Sequence, residues 1–277
     1  MNCKIVFWNA DPEFLSIFGI TITYYGLFIV TAIIIAYFIS KHFYIRNYIT
    51  TDELQKIFFY IAFGGLLGAR IVHCLFYEST YYLNNVLEIF IPFKTINGSY
   101  TFTGYRGLAS HGLAIGIVTA IFVFSKVYRK SFLWLLDGCV VSFSIIATSI
   151  RLGNLMNSEI IGIPTNGNWG FVFMRVDTIP RHPAQLYEAF AYFFIFFILF
   201  YVFKNNLNKR SNGIIFSLFT ILTFTFRFFI EFYKKNQVDL GEFFTLNIGQ
   251  YLSIPFIIIG VVTFLYLYKY PVKSVVR

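Results

Sequence analysis

The sequence predicts an all-α, polytopic membrane protein with seven transmembrane helices, the N-terminus outside and the C-terminus cytoplasmic. Three observations predict it. Of 277 residues, 57% are hydrophobic and only 13% are charged, where soluble domains carry roughly 25% charge. The mean hydropathy is +0.68. The apolar residues gather in seven runs, each near the roughly 20 residues that a helix needs to cross about 30 Å of hydrocarbon. Inside lipid the backbone must satisfy its own polar groups, so each run is read as a helix.

The runs fall at 20–40, 56–77, 107–128, 132–152, 184–203, 212–232 and 248–269. The third and fourth are joined by a short basic turn, 126–131, so they form an antiparallel hairpin. The longest gaps, 78–106 and 153–183, are too short for a separate soluble domain, and 1–277 reads as a single integral membrane domain. Orientation follows from lysine and arginine. Lys41, Arg46 and Lys56, then Lys126, Arg129 and Lys130, then Lys204, Lys209 and Arg210, then Lys269, Lys273 and Arg277 supply three charges to every inside segment. The outside segments hold Lys4; Lys94 and Arg106; Arg175 and Arg181; Lys234 and Lys235, never more than two each. The first residues lack a basic region followed by an apolar core and a small-residue cleavage site, so no cleaved signal peptide is expected.

The net charge of +9 is dispersed among apolar runs rather than clustered, which marks topology and argues against nucleic-acid binding. Cys3, Cys74 and Cys139 show no CxxC or Cys/His spacing and read as small core residues. Neither GxGxxG nor GxxxxGK[ST] occurs. The five aspartates, Asp11, Asp52, Asp137, Asp177 and Asp239, are widely spaced. No cofactor and no metal are expected.

Ionisable groups at membrane depth cost several kcal/mol unless paired or wetted, so they are the informative residues. Arg227 and Glu231 are four apart on one helix face, among aromatics, and the planar guanidinium suits phosphate oxygens. Arg151 and Asn154 share a face, and Asn157, Ser158, Glu159 and Gly162 follow where the helix breaks. His111 opens the third run between small residues and can act as acid or base. Arg181 and His182 precede a helix start at Pro183, with Gln185 and Glu188 three apart on that helix. Gly64 and Gly68 form a GxxxG packing face, and Arg70 after them needs an anion or carbonyl partner. Tyr25-Gly26 lies in the first run. Several arginines, one histidine and at least two carboxylates, without a metal cluster, point to a site that binds a phosphate and stabilises its charge. A phospholipid headgroup is the natural phosphate at that depth.

The segment Arg151-Leu-Gly-Asn154-Leu-Met-Asn157-Ser-Glu159 resembles the GRLGNFINGE signature of prolipoprotein diacylglyceryl transferases. Residues 181–188 resemble that family's RHPxQLYE, and Arg227–Phe232 its FRxxxEF. Tyr25-Gly26, 64–70, His111-Gly112 and 249–255 (GQYLSIP) fit in the same order, and the likeness runs from about 16 to 262. The resemblance implies a seven-span enzyme of the bacterial inner membrane, with its site toward the outer leaflet. Its partners are phosphatidylglycerol and lipobox-containing prolipoproteins. It moves sn-1,2-diacylglyceryl to the lipobox cysteine thiol, forming a thioether and releasing glycerol 1-phosphate. Arg151 and Arg227 are then the phosphate or leaving-group ligands, Glu231 orients Arg227, His111 is the candidate base, and Tyr25 belongs to the catalytic group. Asn154, Asn157, Glu159, Gly162, Arg70, His182 and Gln185 complete the phosphatidylglycerol site. The chain departs from the pattern at Leu113, which replaces the second glycine of SFHGG, at Thr223 and His73, which stand where tyrosines are common, and in its short 153–183 segment. Two other readings fit an embedded Arg and Glu: a membrane transporter, although no internal repeat is visible, and a catalytically inactive lipid-binding homologue.

Overall fold

The computed structural model describes residues 5–17, 20–45, 49–91, 93–96, 99–102, 107–167, 169–206, 211–235 and 246–272. Cys3 and the topology charges Lys4, Arg46, Arg106, Lys209, Arg210, Lys273 and Arg277 lie outside the described residues.

In chain order the elements are β1 (Ile5–Trp8), β2 (Glu13–Ile17), β3 (Ile20–Thr23), α1 (Tyr24–Ile45), α2 (Thr51–Phe76), α3 (Ser79–Tyr82), a 3-10 turn (Val86–Ile89), β4 (Phe93–Ile96), β5 (Ser99–Phe102), α4 (Ser110–Val127), α5 (Phe132–Met156), β6 (Gly170–Phe173), β7 (Pro180–Arg181), α6 (Ala184–Asn206), α7 (Ile214–Ile230), a 3-10 turn (Glu231–Tyr233) and α8 (Ile248–Lys269). Every apolar run contains a helix. Six helices are long and apolar enough to cross a membrane, and a seventh apolar helix, His111–Val127, is shorter. It starts later than the run because Gly107 has a φ of 82° and Ala109 is extended. Large apolar side chains such as Phe194, Phe197, Ile258, Val262 and Leu265 stand exposed on these helices, as a lipid-facing surface requires. The chain is a mostly helical, multi-pass membrane protein.

Three small sheets join the helices, which the all-α expectation did not include. β1 pairs in parallel with β6, in register Ile5↔Gly170, and β7 lies antiparallel to β6. β2 with β3, and β4 with β5, form antiparallel hairpins. β4 to β7 lie between the apolar runs and β1 and β2 before the first, but β3 takes up the start of the expected 20–40 run, so its helix begins only at Tyr24. In all of them the backbone satisfies its polar groups by pairing rather than by turning helically.

The chain divides into two compact units, one of Met1–Phe43 with Leu136–Val275, the other of Tyr44–Leu135. In the second unit α2 and α4 meet glycine to glycine. A methyl group at Gly68 would overlap the Gly112 carbonyl, and one at Gly116 the Gly64 carbonyl, so the GxxxG spacing serves close packing. The first unit packs Phe43, Val141, Tyr192, Ile195, Leu199 and Phe219 into one core. Asp137 is buried there. Its carboxylate accepts from the Gly213 and Phe216 amides at 2.7 Å each, which satisfies the otherwise orphaned start of α7. The far end of α7 is held by α8, whose Asn247 and Gln250 form a capping box and donate to the Glu231 and Phe228 carbonyls.

Candidate active site

The first unit gathers a cluster of charged and polar side chains around the end of α5. Arg151 Nη1 donates to Asn154 Oδ1 at 3.3 Å, one helical turn on. Asn154 Nδ2 donates to Glu159 Oε2 at 3.0 Å, and Asn157 Nδ2 to Glu159 Oε1 at 3.2 Å. Glu159 reaches back because the chain reverses after Met156: Ser158 and Ile160 have φ of 56° and 54°, and the Glu159 amide donates to the Asn154 carbonyl at 2.9 Å. The Tyr25 ring packs on Gly153, where a methyl group would overlap it. Its hydroxyl lies in the field of Glu159 and Arg151.

α6 supplies a second face. Gln185, Glu188 and Tyr192 follow at spacings of three and four, so they point the same way. Gln185 Nε2 donates to the Glu159 carbonyl at 2.5 Å. Glu188 Oε2 lies 3.1 Å from Arg151 Nε, an ion pair without hydrogen-bond alignment, because this oxygen receives no aligned donor. Arg151 and the buried Tyr192 hydroxyl also lie in one another's field.

The third contribution follows α7. Lys234 is only 7% exposed. Its Nζ donates to Glu188 Oε1 at 2.9 Å and lies 3.2 Å from Glu231 Oε2. The Arg227–Glu231 pair expected from their spacing does not form. α7 stops at Ile230, Glu231 turns into the 3-10 segment, and its carboxylate lies against Gly249 and Lys234. The Arg227 side chain makes no hydrogen bond or ion pair with the described residues, although it lies in the field that acts on Tyr192.

Gly162 is the hub of the 153–183 segment. Its amide donates to the His182 carbonyl at 3.0 Å, and the neighbouring Ile163 amide donates to the Tyr233 carbonyl at 2.9 Å. Arg181 Nη1 donates to the Gly162 carbonyl at 3.3 Å. A side chain at Gly162 would overlap the His182 carbonyl. The His182 ring stands among Trp169, Tyr187 and Tyr233, with Nδ1 3.0 Å from the Tyr187 hydroxyl. Burial lowers its pKa, which favours the neutral imidazole. Arg181 holds the Asp177 carboxyl below the usual carboxylate range.

Among the expected site residues, Tyr25, Arg151, Asn154, Asn157, Glu159, Gly162, His182, Gln185, Arg227 and Glu231 belong to this unit. His111 and Arg70 belong to the other. His111 is exposed on the first turn of α4. Arg70 is buried and finds carbonyl partners, donating to Glu88 O at 2.8 Å, Ile89 O at 3.1 Å and the Tyr82 hydroxyl at 3.1 Å. Two residues of the buried network were missed from sequence. Lys234 was counted as a topology charge, and Tyr192 was passed over, although its spacing from Gln185 and Glu188 places it on their face.

The chain matches the description "Prolipoprotein diacylglyceryl transferase" over residues 12–266. It is 46% identical over 255 residues to the phosphatidylglycerol--prolipoprotein diacylglyceryl transferase of Bacteroides fragilis, covering 92% of each chain. It is 40% identical over 262 residues to the like-named protein of Tolumonas auensis, covering 94% of this chain and 97% of the relative. It is 38% identical over 283 residues to that of Porphyromonas gingivalis, covering 96% of both. With coverage nearly end to end, the chain belongs to the prolipoprotein diacylglyceryl transferase family.

Proposed function

We propose that this protein transfers sn-1,2-diacylglyceryl from phosphatidylglycerol to the lipobox cysteine of prolipoproteins, the first step of bacterial lipoprotein maturation. The cysteine sulfur attacks the glyceryl carbon that bears the phosphate. The carbon–oxygen bond breaks, a thioether forms, and glycerol 1-phosphate leaves. The observation that carries this reading is Arg227: a half-buried guanidinium on an apolar helix, without an ionic partner among the described residues, acting on Tyr192 together with Arg151. An arginine at membrane depth without a counter-ion is poised for an anion. The phosphate of the lipid meets that need, and both guanidiniums stabilise the charge that grows on the leaving oxygen.

In this reading Arg151 and Arg227 contact the phosphate. Asn154, Asn157 and Glu159 set the orientation of Arg151 and, with Tyr25, shape the acceptor side. Gly162, His182 and Gln185 form the wall on which the lipid headgroup rests. His111 takes the thiol proton, since only the thiolate is strongly nucleophilic. Arg70 acts indirectly, by fastening the segment of the second unit that holds Tyr82 and Glu88. The protein sits in the bacterial inner membrane with seven spans, its N-terminus outside and its site toward the outer leaflet, as the lysine and arginine bias supports. The test combines purified protein, phosphatidylglycerol in detergent and a lipobox peptide. A diacylglyceryl-sized mass gain that requires the cysteine is expected. Folded, lipid-binding protein that yields no gain would instead support a transport or lipid-binding role.

A further inference from the structure

We propose that Lys234 is a positioning residue for this reaction: by pairing with Glu188 and Glu231 it keeps those carboxylates from capturing the two arginines that hold the phosphate. The inference rests on the phosphate reading of Arg151 and Arg227. Glu231 stands four residues after Arg227, the spacing at which a helix ordinarily pairs a cation with an anion. The pair is absent, and Glu231 instead lies 3.2 Å from Lys234. Glu188 divides its two oxygens, Oε1 at 2.9 Å from Lys234 and Oε2 at 3.1 Å from Arg151. Both carboxylates are largely buried, with side chains 2% and 15% exposed.

A buried carboxylate takes the nearest available cation, because water does not compete for it. Without Lys234, Glu231 has no cation within ion-pair distance among the described residues, and Arg227 is its helical neighbour. Glu188 would be left to Arg151 alone, free to draw that guanidinium into a two-toothed pair. Both movements turn arginines away from an incoming anion. Lys234 therefore acts through the carboxylates, not through the phosphate. Its reach is set by the chain reversal that pairs Gly162 with Lys234 and ties the Lys235 amide to the Ile161 carbonyl.

The experiment measures KM for phosphatidylglycerol and kcat, with a lipobox peptide in detergent, for Arg227→Ala, Lys234→Arg, Lys234→Met and the double variant Lys234→Met/Glu231→Gln. Expected are a rise in KM of about tenfold or more for Lys234→Met with a smaller change in kcat, and values near wild type for Lys234→Arg. The double variant should show a KM at least about threefold below that of Lys234→Met, because the carboxylate that would capture Arg227 is gone while Glu188 still draws on Arg151. If Lys234→Met does not fold, Lys234→Gln takes its place in both the single and the double variant. A KM no lower in the double variant than in the single one overturns the proposal and makes Lys234 a direct ligand or a fold-holding residue. An unchanged KM in Lys234→Met overturns it as well. Activity retained by Arg227→Ala would instead defeat the phosphate reading, so the two failures are told apart.

Discussion

Asn154 ties Arg151 to Glu159: its amide oxygen accepts from the guanidinium at 3.3 Å, while its amide nitrogen donates to the carboxylate at 3.0 Å. Only a group with an acceptor and a donor on one planar head can do both. Asn154→Asp keeps the acceptor but sets a carboxylate against Glu159. Hydrogen bonds to charged groups are worth about 1.5–3 kcal/mol. Asn154→Asp and Asn154→Ala should therefore lower kcat/KM by about 10- to 100-fold. Steady-state transfer to a lipobox peptide checks this, and an aspartate variant with wild-type kcat/KM would sink it.

Gly153 and Gly162 should fail differently when changed to alanine. At Gly153 the added methyl meets the Tyr25 ring, a side chain that can swing aside, so activity should fall more than stability. At Gly162 the methyl meets the His182 carbonyl, with the Tyr233 carbonyl also at 2.7 Å, and backbone cannot yield so readily. Overpacking of this kind costs about 1–3 kcal/mol. Thermal unfolding should show a lower Tm for Gly162→Ala than for Gly153→Ala. The reverse order would contradict the packing described.

Arg70 should govern the order of the chain near 82–89. Its guanidinium is buried and satisfied by two backbone carbonyls and the Tyr82 hydroxyl, with its charge 4.9 Å from the Tyr82 ring centre. Arg70→Met orphans those carbonyls. Amide hydrogen exchange across 78–91 should rise by about tenfold or more, the equivalent of roughly 1.4 kcal/mol of local stability. Unchanged protection there would show that the segment is held by other contacts.

Acid should loosen the segment around Gly162. Burial depresses the folded pKa of His182, so below its unfolded value of about 6.5 the unfolded chain binds the extra proton first. The stability that comes with the neutral imidazole is present above that pH and is lost as pH falls toward the folded pKa. Asp177, depressed by Arg181, has the same sign but acts only near the carboxylate range. Tm measured from about pH 8 to pH 5 should decline below about 6.5. The decline should be shallower in His182→Gln, and an identical slope in the two proteins would remove His182 as the cause.

The helices were legible because apolar runs of spanning length leave the backbone few alternatives. The 151–159 stretch was legible for the same reason inverted: an arginine with two asparagines and a glutamate is costly beside lipid and stands out. Lys234 was not, because a lysine just past an apolar run is an ordinary topology mark. It becomes a buried ion only when 231–235 folds against Ile161 and Ile163. β1 was illegible because four residues carry little pattern and their partner is remote, Ile5 against Gly170. The expected Arg227–Glu231 pair assumed that the helix continues, whereas Glu231 already belongs to a tighter turn. The sequence could foresee that Arg70 needs an anion or carbonyl partner, but not that the Glu88 and Ile89 carbonyls provide it.

The most direct test of the central claim is the release of glycerol phosphate from phosphatidylglycerol, in the presence of lipobox peptide, by the wild-type protein and by Arg227→Ala. Loss of a charge-assisted contact to a buried phosphate predicts at least about a hundredfold fall in rate, with the variant still folded. Release at the wild-type rate from folded Arg227→Ala would contradict the assignment of the phosphate to this arginine.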